Sequence, residues 1–156
     1  MITNVSENND HNIISLKNLV INTNNYNSII ECYNNFTKIN KHLITESKLK
    51  NIIEKLPPNH NIFAYTIYNN IVGLITVIIE QKIIHNGKCV AHIEDLTVDK
   101  NYQNQKIGKQ LINFALTYAN ENNCYKCILD CDNNMENYYI NNSFKNKGLY
   151  MAKYFS

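Results

Sequence analysis

From His92 to Lys109 the chain passes from an apolar segment through a polar loop into a stretch whose apolar residues recur at helical spacing, and this order constrains the fold more than any other. Ile107, Leu111, Phe114, Ala115, Tyr118 and Ala119 line one face of a helix expected over residues 107–121. The first backbone N–H groups of such a helix have no partner within it, so an anion placed there gains hydrogen bonds and the positive end of the helix dipole. Lys106 and Lys109 add positive charge at that entrance. The loop has neither the Gly-x-Gly-x-x-Gly of a dinucleotide site nor the Gly-Lys-Ser/Thr ending of a P-loop, which argues against a dehydrogenase or a kinase.

The rest of the chain reads as an α+β domain. Residues 13–21 alternate loosely, as an opening strand would. Tyr26, Ile29, Ile30, Tyr33 and Phe36 predict a first helix, and Leu49, Ile52, Ile53 and Leu56 a second that starts at Thr45-Glu46 and stops before Pro57-Pro58. Strands over residues 62–68 and 71–84 flank Asn69-Asn70, a pair able to take a hairpin turn, and His85-Asn-Gly-Lys88 makes a second turn. A strand over 89–98, the helix over 107–121 and a strand over 125–131 form a β-α-β crossover. A short helix near 135–141 and a last strand over 149–154 follow.

A chain of 156 residues is the size of one domain, here residues 13–156, and residues 1–12 read as a polar tail without the charged-then-apolar order of a secretory signal. The net charge of +2 comes with scattered lysines and no arginine, so no basic face for nucleic acid is signalled. The longest apolar run, residues 71–79, falls short of the roughly 20 residues a membrane helix needs. Five cysteines without a signal point to a reducing compartment, the cytoplasm by default. Cys124 and Cys127 have the spacing of a zinc pair, but on a strand they are expected on opposite faces, and no second pair is suitably spaced. Small buried hydrophobes account for them better than metal does. About one residue in five is asparagine, far above ordinary usage, so polar replacements within motifs are read leniently.

Two further segments give the central run a context. Cys124-Tyr-Lys-Cys-Ile-Leu-Asp-Cys131 and Asn137-Tyr-Tyr-Ile-Asn-Asn-Ser-Phe144 follow it in the order seen in the GNAT acetyltransferase superfamily. There a strand leads into Arg/Gln-x-x-Gly-x-Gly/Ala and a helix, and a Phe-Tyr-x-x-x-Gly-Phe segment comes later; the chain resembles that pattern. Lys82-Ile-Ile-His85, His92-Ile-Glu-Asp95, Ile107-Gly-Lys109, Cys124-Tyr-Lys126 and Leu129-Asp-Cys131 together resemble its glucosamine 6-phosphate N-acetyltransferase branch.

The resemblance implies a GNAT fold, a mixed central sheet with flanking helices and splayed fourth and fifth strands, and acetyl-CoA as cosubstrate without a metal. It also implies direct attack of the glucosamine 6-phosphate amine on the thioester, as a step toward UDP-N-acetylglucosamine, in a homodimer whose C-terminal region completes the partner's site. Backbone groups of Leu96, Thr97 and Val98 would hold the pantetheine arm. Asn104, Gln105, Lys106, Ile107, Gly108 and Lys109 would hold the pyrophosphate, with Asn137 also on the cofactor. Tyr139 would assist the leaving thiolate, while Asp130 and Glu94 would serve the amine. Thr37, Lys82, His85, Glu94, Asp95, Asp130, Lys153 and Tyr154 would bind the sugar phosphate.

Glu94, Asp95 and Asp130 are read within apolar strands, where unpaired carboxylates are costly. The chain departs from the pattern at Gln103-Asn104-Gln105-Lys106, where Arg and Gly are usual, so Asn104 is expected to take a conformation that glycine adopts freely. It departs again at Ser143, where glycine is usual, and at Lys153-Tyr154, near which the family has an arginine. Tyr138 and Tyr139 also read as core aromatics. Rival readings are a GNAT enzyme for another amine, such as a polyamine, an aminoglycoside or a protein N-terminus, and an inactive GNAT-like module.

Overall fold

Five strands in chain order make one mixed sheet in a computed structural model that describes residues 11–155. The elements are β1 (His11–Ser15), α1 (Thr23–Tyr33), α2 (Glu46–Glu54), β2 (His60–Ile67), β3 (Asn70–Gln81), β4 (Cys89–Val98), α3 (Ile107–Glu121), β5 (Cys124–Ile128) and α4 (Glu136–Ile140). The first four strands are antiparallel, and β5 lies parallel to β4 after the α3 crossover, giving the α+β architecture expected.

Local chemistry explains most boundaries. Asn22 accepts the Asn25 N–H at the start of α1, and Thr45 accepts that of Lys48 at the start of α2, each satisfying a donor the helix cannot. The Asn22 cap starts α1 at Thr23, earlier than the apolar spacing indicates, and the helix ends at Tyr33, before Phe36. The hairpin turn between β2 and β3 falls on Tyr68 and Asn69, with φ of 47° and 65°, one residue earlier than the Asn-Asn pair suggests. β1 is shorter than expected and runs into a 3₁₀ turn over Leu16–Asn18 that buries Leu16. His11 and Asn12 belong to that strand and not to a tail, while residues 1–10 lie outside the described residues.

The sheet has a core on each face. Phe63, Tyr65, Ile75, Val77, Ile79, Ala91 and Ile93 meet Ile107, Leu111, Ala115 and Ala119 of α3. On the other face Ala64, Ile71 and Leu74 meet Ile29 and Ile30 of α1 and Leu49 and Ile53 of α2. Gly73 sets how close α3 comes, because a Cβ there would lie 3.1 Å from Leu111 Cδ1, 3.2 Å from Ile107 Cγ2 and 3.2 Å from the Thr97 carbonyl. Among the described residues no helix is long and apolar enough to cross a membrane.

Four expectations are corrected. β3 stops at Gln81, and Ile83 and Ile84 beyond it turn outward. β5 ends at Ile128, and residues 149–154 form no strand, since Leu149, Tyr150, Met151 and Tyr154 project from the surface and a strand needs a neighbour to satisfy its backbone. Cys124 and Cys127 face the same way: pairing shifts from Cys89 opposite Cys124 to Val90 opposite Lys126, so Tyr125 is an extra residue that resets the alternation. Both thiols pack against the α3 core, and burial pushes the Cys127 thiol up to about 11.

Candidate active site

β4 and β5 pair only over Cys89 to His92, and β4 runs on six residues beyond the last pair while β5 stops. The edge of β4 over residues 93–98 therefore faces a gap, the splay expected of the fourth and fifth strands. A second irregularity lies beside it. Leu74 pairs with Thr97 and Thr76 with Glu94, so Ile75 opposes two residues, Asp95 and Leu96, and Asp95 adopts φ of 50° to form the bulge. A bulge bends its strand and re-aims the residues that follow.

The end of β4 is braced from α1. Asn35 Nδ2 donates to Thr97 Oγ1 (3.0 Å) and to the Val98 carbonyl (2.8 Å), and the Thr97 hydroxyl donates to the Cys32 carbonyl (2.8 Å). The buried Thr97 side chain is thus a strut, leaving the backbone of Leu96 and Thr97 as the groups best placed for a ligand along this edge.

Beyond β4, Asp99 accepts the Asn101 N–H (2.8 Å) and turns the chain into the loop before α3. Asn104 adopts φ of 62°, the conformation expected of a residue in glycine's place. Lys106 adopts φ of 63° as well, which for a residue with a Cβ costs about 1–2 kcal/mol. Lys106 offers α3 no side-chain cap, so the helix's first N–H groups are left without a side-chain acceptor, an arrangement that fits a phosphate group. Ile107 is buried in the α3 core and can contribute only its backbone there, whereas Gln105 and Lys109 are exposed. A Cβ on Gly108 would lie 2.7 Å from the Tyr138 hydroxyl.

α4 presents Tyr139 to the same region. The helix closes with Ser143 N–H donating to the Ile140 carbonyl (2.9 Å) and Phe144 N–H to that of Tyr139 (3.0 Å), with Ser143 at φ of 71°. This bond pair normally carries glycine at the left-handed position, and it brings the Phe144 ring edge-on to Tyr139 at 5.9 Å. Burial, then Tyr138, Cys131 and Asp130, push the Tyr139 hydroxyl up to about 12. The carboxyl of Glu94 is also raised, by burial first and then by Asp130 and Asp95. Asp130 therefore lies close enough for its charge to reach both Tyr139 and Glu94, and Asp95 close enough to reach Glu94. Asp130 and Asp95, however, are exposed, one past the end of β5 and one on the bulge, so the desolvation cost expected of carboxylates within strands applies to Glu94 alone. Asn137 is exposed on α4.

Lys82 is less free than the sequence suggests. Its ammonium pairs with Glu80, whose other carboxylate oxygen lies 2.9 Å from His92 Nε2. Lys82 and His92 hold the Glu80 carboxyl below the usual carboxylate range. His85, Asn86 and Gly87 all have positive φ, and Gln81 Nε2 pins this turn by donating to the Gly87 (2.6 Å) and Lys82 (3.0 Å) carbonyls, with the His85 ring against Tyr125 at 4.1 Å. Thr37 is exposed just past α1. Lys153 and Tyr154 lie in the exposed C-terminal segment, Lys153 over the Phe155 ring, and the fold does not join them to Lys82 or His85 among the described residues. Sequence reasoning misses Glu80, His92 and Tyr138. Period-two alternation along β3 and β4 hints at the first two, but only the pairing of Ile78 with His92 brings them together.

The sequence matches the Acetyltransferase (GNAT) family over residues 25–149. It is 33% identical to the glucosamine 6-phosphate N-acetyltransferase of Candida albicans over 132 residues, 83% of this chain and 86% of that one. It is 35% identical to the glucosamine 6-phosphate N-acetyltransferase of Arabidopsis thaliana over 80 residues, 51% of this chain, so the match spans only 54% of that relative's length. The crystal structure of glucosamine-6-phosphate N-acetyltransferase from Arabidopsis thaliana aligns with a TM-score of 0.82 at 26% identity, covering 94% of this chain and 99% of that one. Family match, relatives and splayed sheet agree, and the chain belongs to the GNAT acetyltransferase family.

Proposed function

We propose that this protein transfers the acetyl group of acetyl-CoA to the 2-amino group of glucosamine 6-phosphate. What supports the reading is that Asp130 lies within electrostatic reach of both Tyr139 and Glu94, in a chain whose named relatives are glucosamine 6-phosphate N-acetyltransferases. Those relatives favour the amino-sugar phosphate over a polyamine, an aminoglycoside or a protein N-terminus, and the retained Tyr139, Asp130 and Glu94 disfavour an inactive module.

The chemistry then divides among the chain's own groups. The first turn of α3 and the loop of Asn104, Gln105 and Lys106 hold the pyrophosphate, and the β4 edge at Leu96 and Thr97 orients the arm. The amine forms the new C–N bond as the C–S bond breaks, and the proton it loses passes to the carboxylate pair Glu94 and Asp130; burial and the neighbouring carboxylates raise the Glu94 pKa, which makes Glu94 a better base than an ordinary carboxylate. The Tyr139 hydroxyl, protonated at neutral pH because its pKa is pushed up to about 12, donates a hydrogen bond to the departing sulfur and does not surrender its proton. An ordinary thiol near pKa 8.5 is too weak a base to take it.

Lys82 and His85 face the sugar phosphate, with Lys82 positioned by Glu80. Lys153 supplies a further cation from the second copy of a homodimer. We place the enzyme in the cytoplasm. A thiol-release assay with acetyl-CoA and a panel of amines tests the reading: glucosamine 6-phosphate should be turned over far faster than glucosamine, and Lys82→Ala should narrow that preference. Equal turnover of the two sugars would replace the assignment with a broader acetyltransferase activity.

A further inference from the structure

Tyr138 falls where the Phe-Tyr-x-x-x-Gly-Phe segment that this stretch resembles has phenylalanine, so it adds a hydroxyl at that position. The ring is oriented by an edge-on contact with Tyr139 at 5.2 Å and 78°, and its backbone carbonyl accepts from Asn142 Nδ2 at 2.8 Å. The group it sends toward α3 is the hydroxyl. A Cβ at Gly108 would meet Tyr138 Oη at 2.7 Å, the ring carbon Cζ at 3.8 Å and Val98 Cγ2 at 3.9 Å. Oη therefore lies where the end of β4 meets the first turn of α3, between the groove proposed for the arm and the cradle proposed for the pyrophosphate.

The half-buried hydroxyl makes no hydrogen bond among the described residues. Gly108, which it approaches, lies in the first turn of α3, a turn without a side-chain cap whose N–H groups are donors as well. Donors converging from a helix end and a phenol are satisfied together by one acceptor-rich anion. Resting on the acetyl-CoA reading above, we propose that the Tyr138 hydroxyl donates a hydrogen bond to the pyrophosphate of the cofactor, making Tyr138 a cofactor-binding residue distinct in role from Tyr139.

Tyr138→Phe removes only the hydroxyl and restores the family residue. Acetyl-CoA affinity by calorimetry should fall about tenfold, the size of one hydrogen bond to a charged group, with the loss in KM for acetyl-CoA and not in kcat. S-acetylpantetheine carries the thioester and the arm but no phosphate, so its kcat/KM should be the same for Tyr138→Phe and the unsubstituted protein. Unchanged or tighter acetyl-CoA binding by Tyr138→Phe overturns the proposal. An equal loss with S-acetylpantetheine overturns it too, since the hydroxyl would then serve the arm. Failure of the unsubstituted protein to bind acetyl-CoA is a separate result, which removes the functional reading and this assignment with it.

Discussion

A methyl group at Gly108 measures how tightly α4 is clamped onto α3. The Cβ of Gly108→Ala would sit 2.7 Å from Tyr138 Oη, where ordinary contact begins at 3.4 Å, and no other neighbouring atom lies nearer than 3.8 Å. The hydroxyl ends a ring packed against Tyr139, so relief requires the ring or α4 to move. Overpacking of this kind costs about 1–3 kcal/mol. Replacing glycine by alanine in a helix returns up to about 1 kcal/mol, less in a first turn, so the single substitution should destabilise by about 0–3 kcal/mol. In a Tyr138→Phe background the nearest ring atom is Cζ at 3.8 Å, an ordinary contact, and the same alanine should become neutral or stabilising. The coupling between the two positions is then about 1–3 kcal/mol, the cost of the single clash. Urea unfolding of the four proteins measures it, provided their m-values agree. Additive effects, within about 0.5 kcal/mol, would refute the close approach of Tyr138 to α3 and weaken the case for its hydroxyl beside the pyrophosphate.

Ser143→Gly relieves the left-handed strain after α4 and should raise stability by about 1 kcal/mol in denaturant unfolding; a loss of stability would contradict the helix-end geometry. Gly73→Ala crowds Leu111 and Ile107 and should cost about 1–3 kcal/mol, a neutral result showing that α3 can shift. Tyr139→Phe should lower kcat about tenfold to a hundredfold with acetyl-CoA affinity retained, and a full-speed variant with chemistry rate-limiting rejects its role. Glu94 has a raised carboxyl pKa, so the folded protein keeps a proton that the unfolded chain loses near the ordinary value of 4.5, and stability falls as pH rises through that value toward the folded one. Glu94→Gln abolishes that fall, so its stability relative to the unsubstituted protein should improve as pH rises above 4.5; a pH-independent difference would sink the assignment.

Much of this architecture is local and therefore legible in the amino-acid sequence. The helix over Ile107–Glu121 and the strand over Cys89–Val98 fall at the bounds expected of them, because helical spacing and an apolar run bracketed by turn residues need no distant partner. α2 ends ahead of Pro57-Pro58 for a similarly local reason, and the left-handed Asn104 follows from its standing in glycine's place. What only the tertiary structure decided are the irregularities of pairing. The extra Tyr125 in β5 turns Cys124 and Cys127 to one face, the bulge at Asp95 bends β4 beside the gap, and β5 ends early enough to leave Asp130 in solvent. A one-residue slip in register reverses every face beyond it, and nothing in the strand's own residues announces it. The pairing of Glu80 with Lys82 and His92, and of Tyr138 with Gly108, likewise joins groups from separate elements whose distance is set by how helices and strands pack. Composition sets which residues can meet at the site, and long-range packing, with strand register above all, sets which of them do.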